Sequence, residues 1–332
     1  MPLESFALGQ VFVCSVFYVL QAYREGPSGG PKTLRQRAAR AHARRERRRV
    51  RVSATIVVGT DASGPSRAAS DWAIARAASL DTSVELVHVI DERWLGLQDA
   101  QDSEVRDHAA ALLAAELTRI RMLPSAPVVT GRVVIGLPSK ALMDASVDAD
   151  LLVIGTHKTG FTYGRAFGSK FASLASQSRC AVAFLPEIFG RTRRGVAVAA
   201  DTLNGGLHAI EFATAEAVRT GQDLAIIAAW ESESFNRRRS DGRAVSLATA
   251  TTAARNFDAR VSVRTRISDS VMSDALITAS TTASVLVLAK PGTAPDDQTL
   301  ATNHDVLANI SSPVIIVGVT RAVASGSLVG RP

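Results

Sequence analysis

One pattern is written twice in this chain, and that repetition constrains its fold more than any other feature. Ile56-Val-Val-Gly-Thr-Asp61 is a short apolar run ending in an aspartate, and 140 residues later Val196-Ala-Val-Ala-Ala-Asp201 repeats its form. The runs that follow match in order. Val84–Ile90 is answered by Asp223–Trp230, Val128–Ile135 by Val261–Ile267, Leu151–Ile154 by Val285–Ala289, and Ala181–Leu185 by Pro313–Val317. Solenoid units are far shorter than this period, so each copy is a whole domain. Within a copy, Val- and Ile-rich runs alternate with longer helical patterns, as strands of a parallel sheet alternate with crossover helices. The expected fold class is α/β: two tandem, open, mostly parallel five-stranded sheets with helices on both faces. Unbroken apolar runs predict strands buried on both sides.

The helical signals support this order. Ser63 and Pro65 mark the start of a helix running to Leu80, with Ala69, Trp72, Ala73, Ala77 and Leu80 along one face. Val105 to Ile120 carries a second stripe, Ser139–Val147 predicts a shorter helix, and Leu207–Thr220 opens the second copy. The expected divisions are a leader over 1–52, a first domain over 53–187, a linker over 188–194, a second domain over 195–320 and a tail over 321–332.

Charge is unevenly placed. The chain carries 38 Lys and Arg against 31 Asp and Glu, a net charge of +7. Residues 1–50 hold the whole excess, with Glu4, Glu25 and Glu46 their only acids. A neutral body offers no basic stripe for a phosphate backbone, so nucleic acid is not an expected partner. In the leader, uncharged Phe6–Tyr23 precedes the basic segment RQRAARAHARRERRRVR. That combination reads as a short membrane anchor with the body on the cytoplasmic side, or as residues encoded upstream of the true start. Two cysteines, Cys14 and Cys180, argue against a disulfide framework or a cysteine metal site and fit a reducing cytoplasm.

In open parallel sheets, ligands bind beyond the carboxyl ends of the strands where the winding reverses. The loops after the first and fourth strands therefore hold the candidate site. The first reads Gly59-Thr60-Asp61-Ala62-Ser63. The fourth reads Gly155-Thr-His157-Lys158-Thr-Gly160-Phe-Thr-Tyr-Gly164-Arg-Ala-Phe-Gly168-Ser169. Glycines let backbone approach an anion, and a helix beginning near Ser169 would add N–H groups and a hydroxyl. Asp61 has a plainer role open to it, capping the turn into the first helix. His88 reads as a core histidine, and Ser169 as a helix cap.

This loop resembles that of the universal stress proteins, whose pattern is Gly, two residues, Gly, nine residues, then Gly followed by Ser or Thr. Gly155 fills the first place and Gly168-Ser169 the last, while Lys158 stands in the second. The resemblance extends over residues 53–187. It implies a Rossmann-like fold of the adenine nucleotide alpha hydrolase type, and adenine nucleotide as partner. It places Asp61 near the ribose, Thr60 and Val89 at the base or sugar through their backbones, and Gly155, His157, Gly168 and Ser169 along the phosphates. Gly59, Ile154 and Lys158 complete the set. Lys158 either crowds a turn meant for glycine or neutralises a phosphate. The implied cofactor is ATP, with Mg2+ only alongside it.

The second copy has Ala289-Lys290-Pro291 where the glycine loop should begin, so its site is expected to be lost. By the same resemblance the two copies pair through their fifth strands, Ala181–Leu185 beside Val314–Val317, and a homodimer stays open. Catalysis finds no support. No Gly-Lys pair forms a P-loop, the six histidines show no metal spacing, and Gly26-Pro-Ser28-Gly-Gly30 lacks the flanking strand and helix of a nucleophile elbow. The expected function is a cytosolic stress-response module that binds nucleotide and is not an enzyme. An adenine-nucleotide hydrolase and a membrane-tethered form are the alternatives.

Overall fold

The computed structural model describes residues 55–96, 99–124, 126–156, 173–187, 192–200, 206–229, 237–290 and 297–318. The leader and the tail expected over 321–332 lie outside them. Ser53–Pro332 form one compact unit.

In chain order the elements are β1 (Thr55–Gly59), α1 (Gly64–Leu80), β2 (Ser83–Asp91), α2 (Asp99–Arg121), β3 (Val129–Gly136), α3 (Pro138–Ala145), β4 (Leu151–Thr156) and β5 (Ala181–Pro186). A helical turn over 173–177 precedes β5. There follow β6 (Val196–Ala199), α4 (Gly206–Thr220), β7 (Leu224–Ala229), α5 (Arg237–Phe257), β8 (Val263–Ser268), α6 (Met272–Ser280), β9 (Val285–Ala289), α7 (Asp297–Ala308) and β10 (Val314–Val317).

All ten strands lie in one sheet, ordered β3-β2-β1-β4-β5-β10-β9-β6-β7-β8. Each set of five is parallel internally. The sets meet edge to edge where β5 runs antiparallel to β10, with Val314 opposite Phe184, Ile315 opposite Ala183 and Ile316 opposite Val182. This contact gives both terminal edges a partner, where five-stranded sheets standing apart would leave two rows of unpaired backbone groups.

Strand alternation divides the core in two. Ile56 and Val58 point to the face covered by α1, α2, α4 and α5, and Val57 to the face covered by α3, the 173–177 turn, α6 and α7. On the first face, Ala69, Ala73 and Ala77 of α1 and Ala209, Ala213 and Ala217 of α4 are all buried. Small side chains at these i, i+4 positions let each helix settle close to the sheet.

Two expectations need correction. β3 is not buried on both faces, for most of its residues are exposed or half-buried, and β8 is alike. Both are outer strands with one neighbour each, guarded by charge: Arg132 of β3 pairs with Glu85 at 3.0 Å, and β8 carries Arg264 and Arg266. The 21-residue helix α5 also lies in a stretch where no helix was assigned from the sequence.

Candidate functional site

β1 and β4 are neighbours, with Gly59 opposite Ile154. From β1 the chain proceeds through α1 to β2 on one side, while β5 lies beyond β4 on the other. The carboxyl ends of β1 and β4 therefore flank the point where the winding reverses, the place at which open parallel sheets bind ligands.

The chain leaves β1 through a tightly tied turn. Thr60 N–H donates to the Val87 carbonyl at 3.0 Å, and His88 Nδ1 donates to the Thr60 carbonyl at 2.9 Å. The half-buried His88 thus anchors the first loop residue to β2. Ala62 takes a left-handed φ of 60°. Ser63 caps α1, accepting from Ser66 N–H at 3.4 Å and giving its carbonyl to Arg67 N–H at 3.0 Å.

Asp61 is exposed and accepts from Ser63 N–H at 3.0 Å. Partial burial pushes its carboxyl upward, but hydrogen bonds from Ser63 and Ser66 outweigh this and hold it below the ordinary aspartate value. One of its oxygens serves the turn, and the side chain is exposed at the end of β1.

Gly155 has a clear physical reason to be glycine. A β carbon there would stand 2.2 Å from the Pro65 carbonyl oxygen, 2.3 Å from its carbon and 2.6 Å from Ser66 N. All three are backbone atoms of the first turn of α1, so the helix start and the end of β4 are in direct contact. The corresponding space at Gly59 is bounded only by the Leu142 side chain, with Cδ2 at 3.1 Å.

An acid already lies at the start of α1. Glu187, just past β5, crowds Gly64 so closely that a β carbon at Gly64 would be 2.1 Å from Glu187 Oε1. A carboxylate at that place faces the positive end of the helix dipole.

Val89 sits on β2 beyond the end of β1. Val87 gives its carbonyl to Thr60, and by strand periodicity Val89 directs its backbone groups the same way, where β1 has already turned off. Of the residues expected at a ligand, Gly59, Thr60, Asp61, Ile154 and Gly155 come together at one end of the sheet, and Val89 stands on the adjoining strand. His157, Lys158, Gly168 and Ser169 lie outside the described residues. Leu142, Ser66 and Glu187 border this end without having been expected. Glu187 had a signal in its place at the exit of β5.

The second half differs at the matching strand end. The Ala289 carbonyl accepts from Asn303 Nδ2 at 2.9 Å, and Asn303 is buried. Lys290 crosses to the first half and donates through Nζ to the Ser178 carbonyl at 2.8 Å, its ammonium pushed below the ordinary lysine value by burial.

A cavity of about 300 Å³ exists elsewhere, at the amino ends of β6, β7 and β8, with Arg194, Arg264 and Arg266 at its border. Arg264 is paired with Asp223 at 2.7 Å. This cavity lies in the second half at the amino ends of its strands, whereas ligands of open parallel sheets settle at carboxyl ends, as at β1 and β4. Among the described residues, no group of three His, Cys, Asp or Glu is arranged to hold a metal ion, and no helix is long and apolar enough to cross a membrane.

An open α/β sheet whose parallel strands wind in both directions from the first strand defines the Rossmann-like class. Residues 53–186 match the model of the universal stress protein family, so that segment is similar to it. Universal stress protein Rv1996 of Mycobacterium tuberculosis and Mb2019 of Mycobacterium bovis are each 29% identical to it over 198 residues. These matches take in 53% of this chain and 62% of each relative's length. A universal stress protein from Archaeoglobus fulgidus superposes with a TM-score of 0.60, covering 80% of this chain and 96% of its own. At 17% identity that likeness speaks for the fold alone. A universal stress protein in complex with cAMP is 26% identical over 40% of this chain and 96% of its own, with a TM-score of 0.33. So loose a superposition transfers no ligand.

Proposed function

We propose that this chain is a regulatory module of the stress response, acting in the cytoplasm, that takes an adenine nucleotide between β1 and β4 and performs no catalysis. The observation that carries the reading is the contact between Gly155 and the first turn of α1, which brings the end of β4 against the helix start that follows the Asp61 turn. A glycine at that strand end sets bare backbone, rather than a side chain, beside the turn, as close approach of a phosphate chain requires. Asp61, ionised and exposed, suits the hydroxyls of a ribose. The backbone of Val89 suits the edge of a base. His157, Lys158, Gly168 and Ser169 would take the phosphates, and Mg2+ would enter only with ATP.

The test uses the full chain. Denaturation of the purified protein should release an adenine nucleotide identifiable by chromatography and mass. Added ATP or AMP should raise the melting temperature, with saturation at 100 times Kd contributing about 2.7 kcal/mol. Asp61→Ala and Gly168→Val should each weaken that response. Absence of both released nucleotide and thermal shift at millimolar ATP would refute the proposal. ATP turnover above background that disappears in Asp61→Ala would refute its non-catalytic part.

A further inference from the structure

α1 and α4 occupy matching places in the two halves and touch each other through matching residues. Arg76 Nη1 donates to both Oε1 and Oε2 of Glu216 at 2.7 Å, and the two side chains are only 7% and 4% exposed. The guanidinium lies 5.3 Å from the Trp72 ring centre and 5.8 Å from that of Phe212. Arg219 Nη1 donates to Ser79 Oγ at 2.7 Å. Arg76 and Glu216 are 140 positions apart, as are Ser79 and Arg219, and this is also the spacing from Ile56 to Val196. Trp72 and Phe212 stand in the same relation. Residues that are equivalent under a repeat and also in contact must straddle its local two-fold axis.

We infer that the Arg76–Glu216 pair selects the partner of the β5 edge, admitting the chain's own second half and rejecting the first half of another copy. The reason lies in the symmetry. If two first halves paired through β5 in the same manner, Arg76 would meet Arg76 in a space closed to water. Glu216 is the only carboxylate that bonds to Arg76 among the described residues, so such a pair would hold two buried, uncompensated cations. Nothing else in the strand gives this discrimination. β5 reads Ala-Val-Ala-Phe-Leu-Pro, an apolar edge whose backbone would accept any similar strand. One heterotypic charge pair on the axis separates the right partner from the near-identical wrong one.

The test begins from the full chain with a protease site placed between Pro186 and Val196 and cut in the folded protein. The two pieces are unfolded in urea, refolded together and weighed by native mass spectrometry. The wild-type sequence should return mixed pairs, with dimers of the first piece at least about tenfold below their statistical share. The uncharged variant Arg76→Met with Glu216→Leu should fold but lose this choice, raising first-piece dimers by about tenfold or more. First-piece dimers at their statistical share in the wild type would overturn the inference. So would mixed pairs alone from both proteins, whether through another contact or because the first piece folds only with its complement.

Discussion

Replacing Gly155 by alanine tests the contact between the end of β4 and the start of α1. The added carbon would meet the Pro65 carbonyl oxygen at 2.2 Å, where ordinary contact needs more than about 3.3 Å, so one side must give way by about 1 Å. The opposing atoms are backbone in the first turn of α1, and no rotamer change relieves them. The helix must retreat, drawing the buried Ala69, Ala73 and Ala77 off the sheet. Overpacking typically costs 1–3 kcal/mol, and a rigid helix start places this case at about 3 kcal/mol. In a body of this size that corresponds to a fall of about 6–12 °C in melting temperature. Gly59→Ala is the control. Its new carbon meets only the flexible end of Leu142 at 3.1 Å, and the loss should stay below about 1 kcal/mol. Thermal melts of the three proteins by circular dichroism decide the matter. A Gly155→Ala protein melting within about 2 °C of wild type, or a Gly59→Ala protein falling equally far, would refute the reasoning.

Three further outcomes are expected. Asp61→Ala should cost about 0.5–1 kcal/mol at neutral pH by freeing Ser63 N–H, and Asp61→Asn should restore the turn but not nucleotide binding, as paired urea melts and ATP titrations will reveal. Because the Asp61 carboxyl lies below its ordinary value of 3.8 in the folded state, its stabilising effect is present above that pH and fades as pH falls further, so the Asp61→Ala deficit should shrink in acid. Arg76→Met should lose about 3–5 kcal/mol at pH 7 by leaving Glu216 buried with Arg219 as its remaining partner. Burial pushes the Glu216 carboxyl up, yet Arg76 and Arg219 hold it below its ordinary 4.5, so the pair's contribution is lost as pH falls through that region and the variant should approach wild type there in calorimetry. Finally, burial pushes the Cys180 thiol up to about 12, so the Cys180 peptide should resist iodoacetamide at pH 8 in the folded protein and react in urea, as mass spectrometry will show.

The succession of strands along the chain and the buried faces of α1 and α2 were legible because burial imposes periodicity. Ser63 and Pro65 announced the start of α1, and the apolar runs announced the strands. Edge position was harder to read, since a strand's neighbours are a property of topology and not of its own residues. Arg132 in β3, and Arg264 with Arg266 in β8, were the available signs. Gly155 was read from sequence as a place for a phosphate. The structure gives it a second and independent reason, the approach of Pro65, which no spacing rule connects to it. Arg76 and Glu216 were equally hidden, because two charged residues 140 positions apart look like ordinary helix surface. Only the coincidence of that spacing with the repeat marks them, and its meaning depends on the halves meeting around an axis.

The same position shows how little change separates a proposed ligand site from a brace. Where the first half has Gly155, the second has Ala289, whose carbonyl is taken by the buried Asn303 at 2.9 Å. The next residue, Lys290, reaches out of its own half to the Ser178 carbonyl, adding to the bond between halves. Two identical domains in a homodimer could not divide the work in this way, since any residue lost from one site would be lost from both. Joining the copies in one chain releases that restraint. Asn303 and Lys290 can then strengthen the second half and its hold on the first, while Gly155, Asp61 and the start of α1 keep the geometry of the proposed nucleotide site.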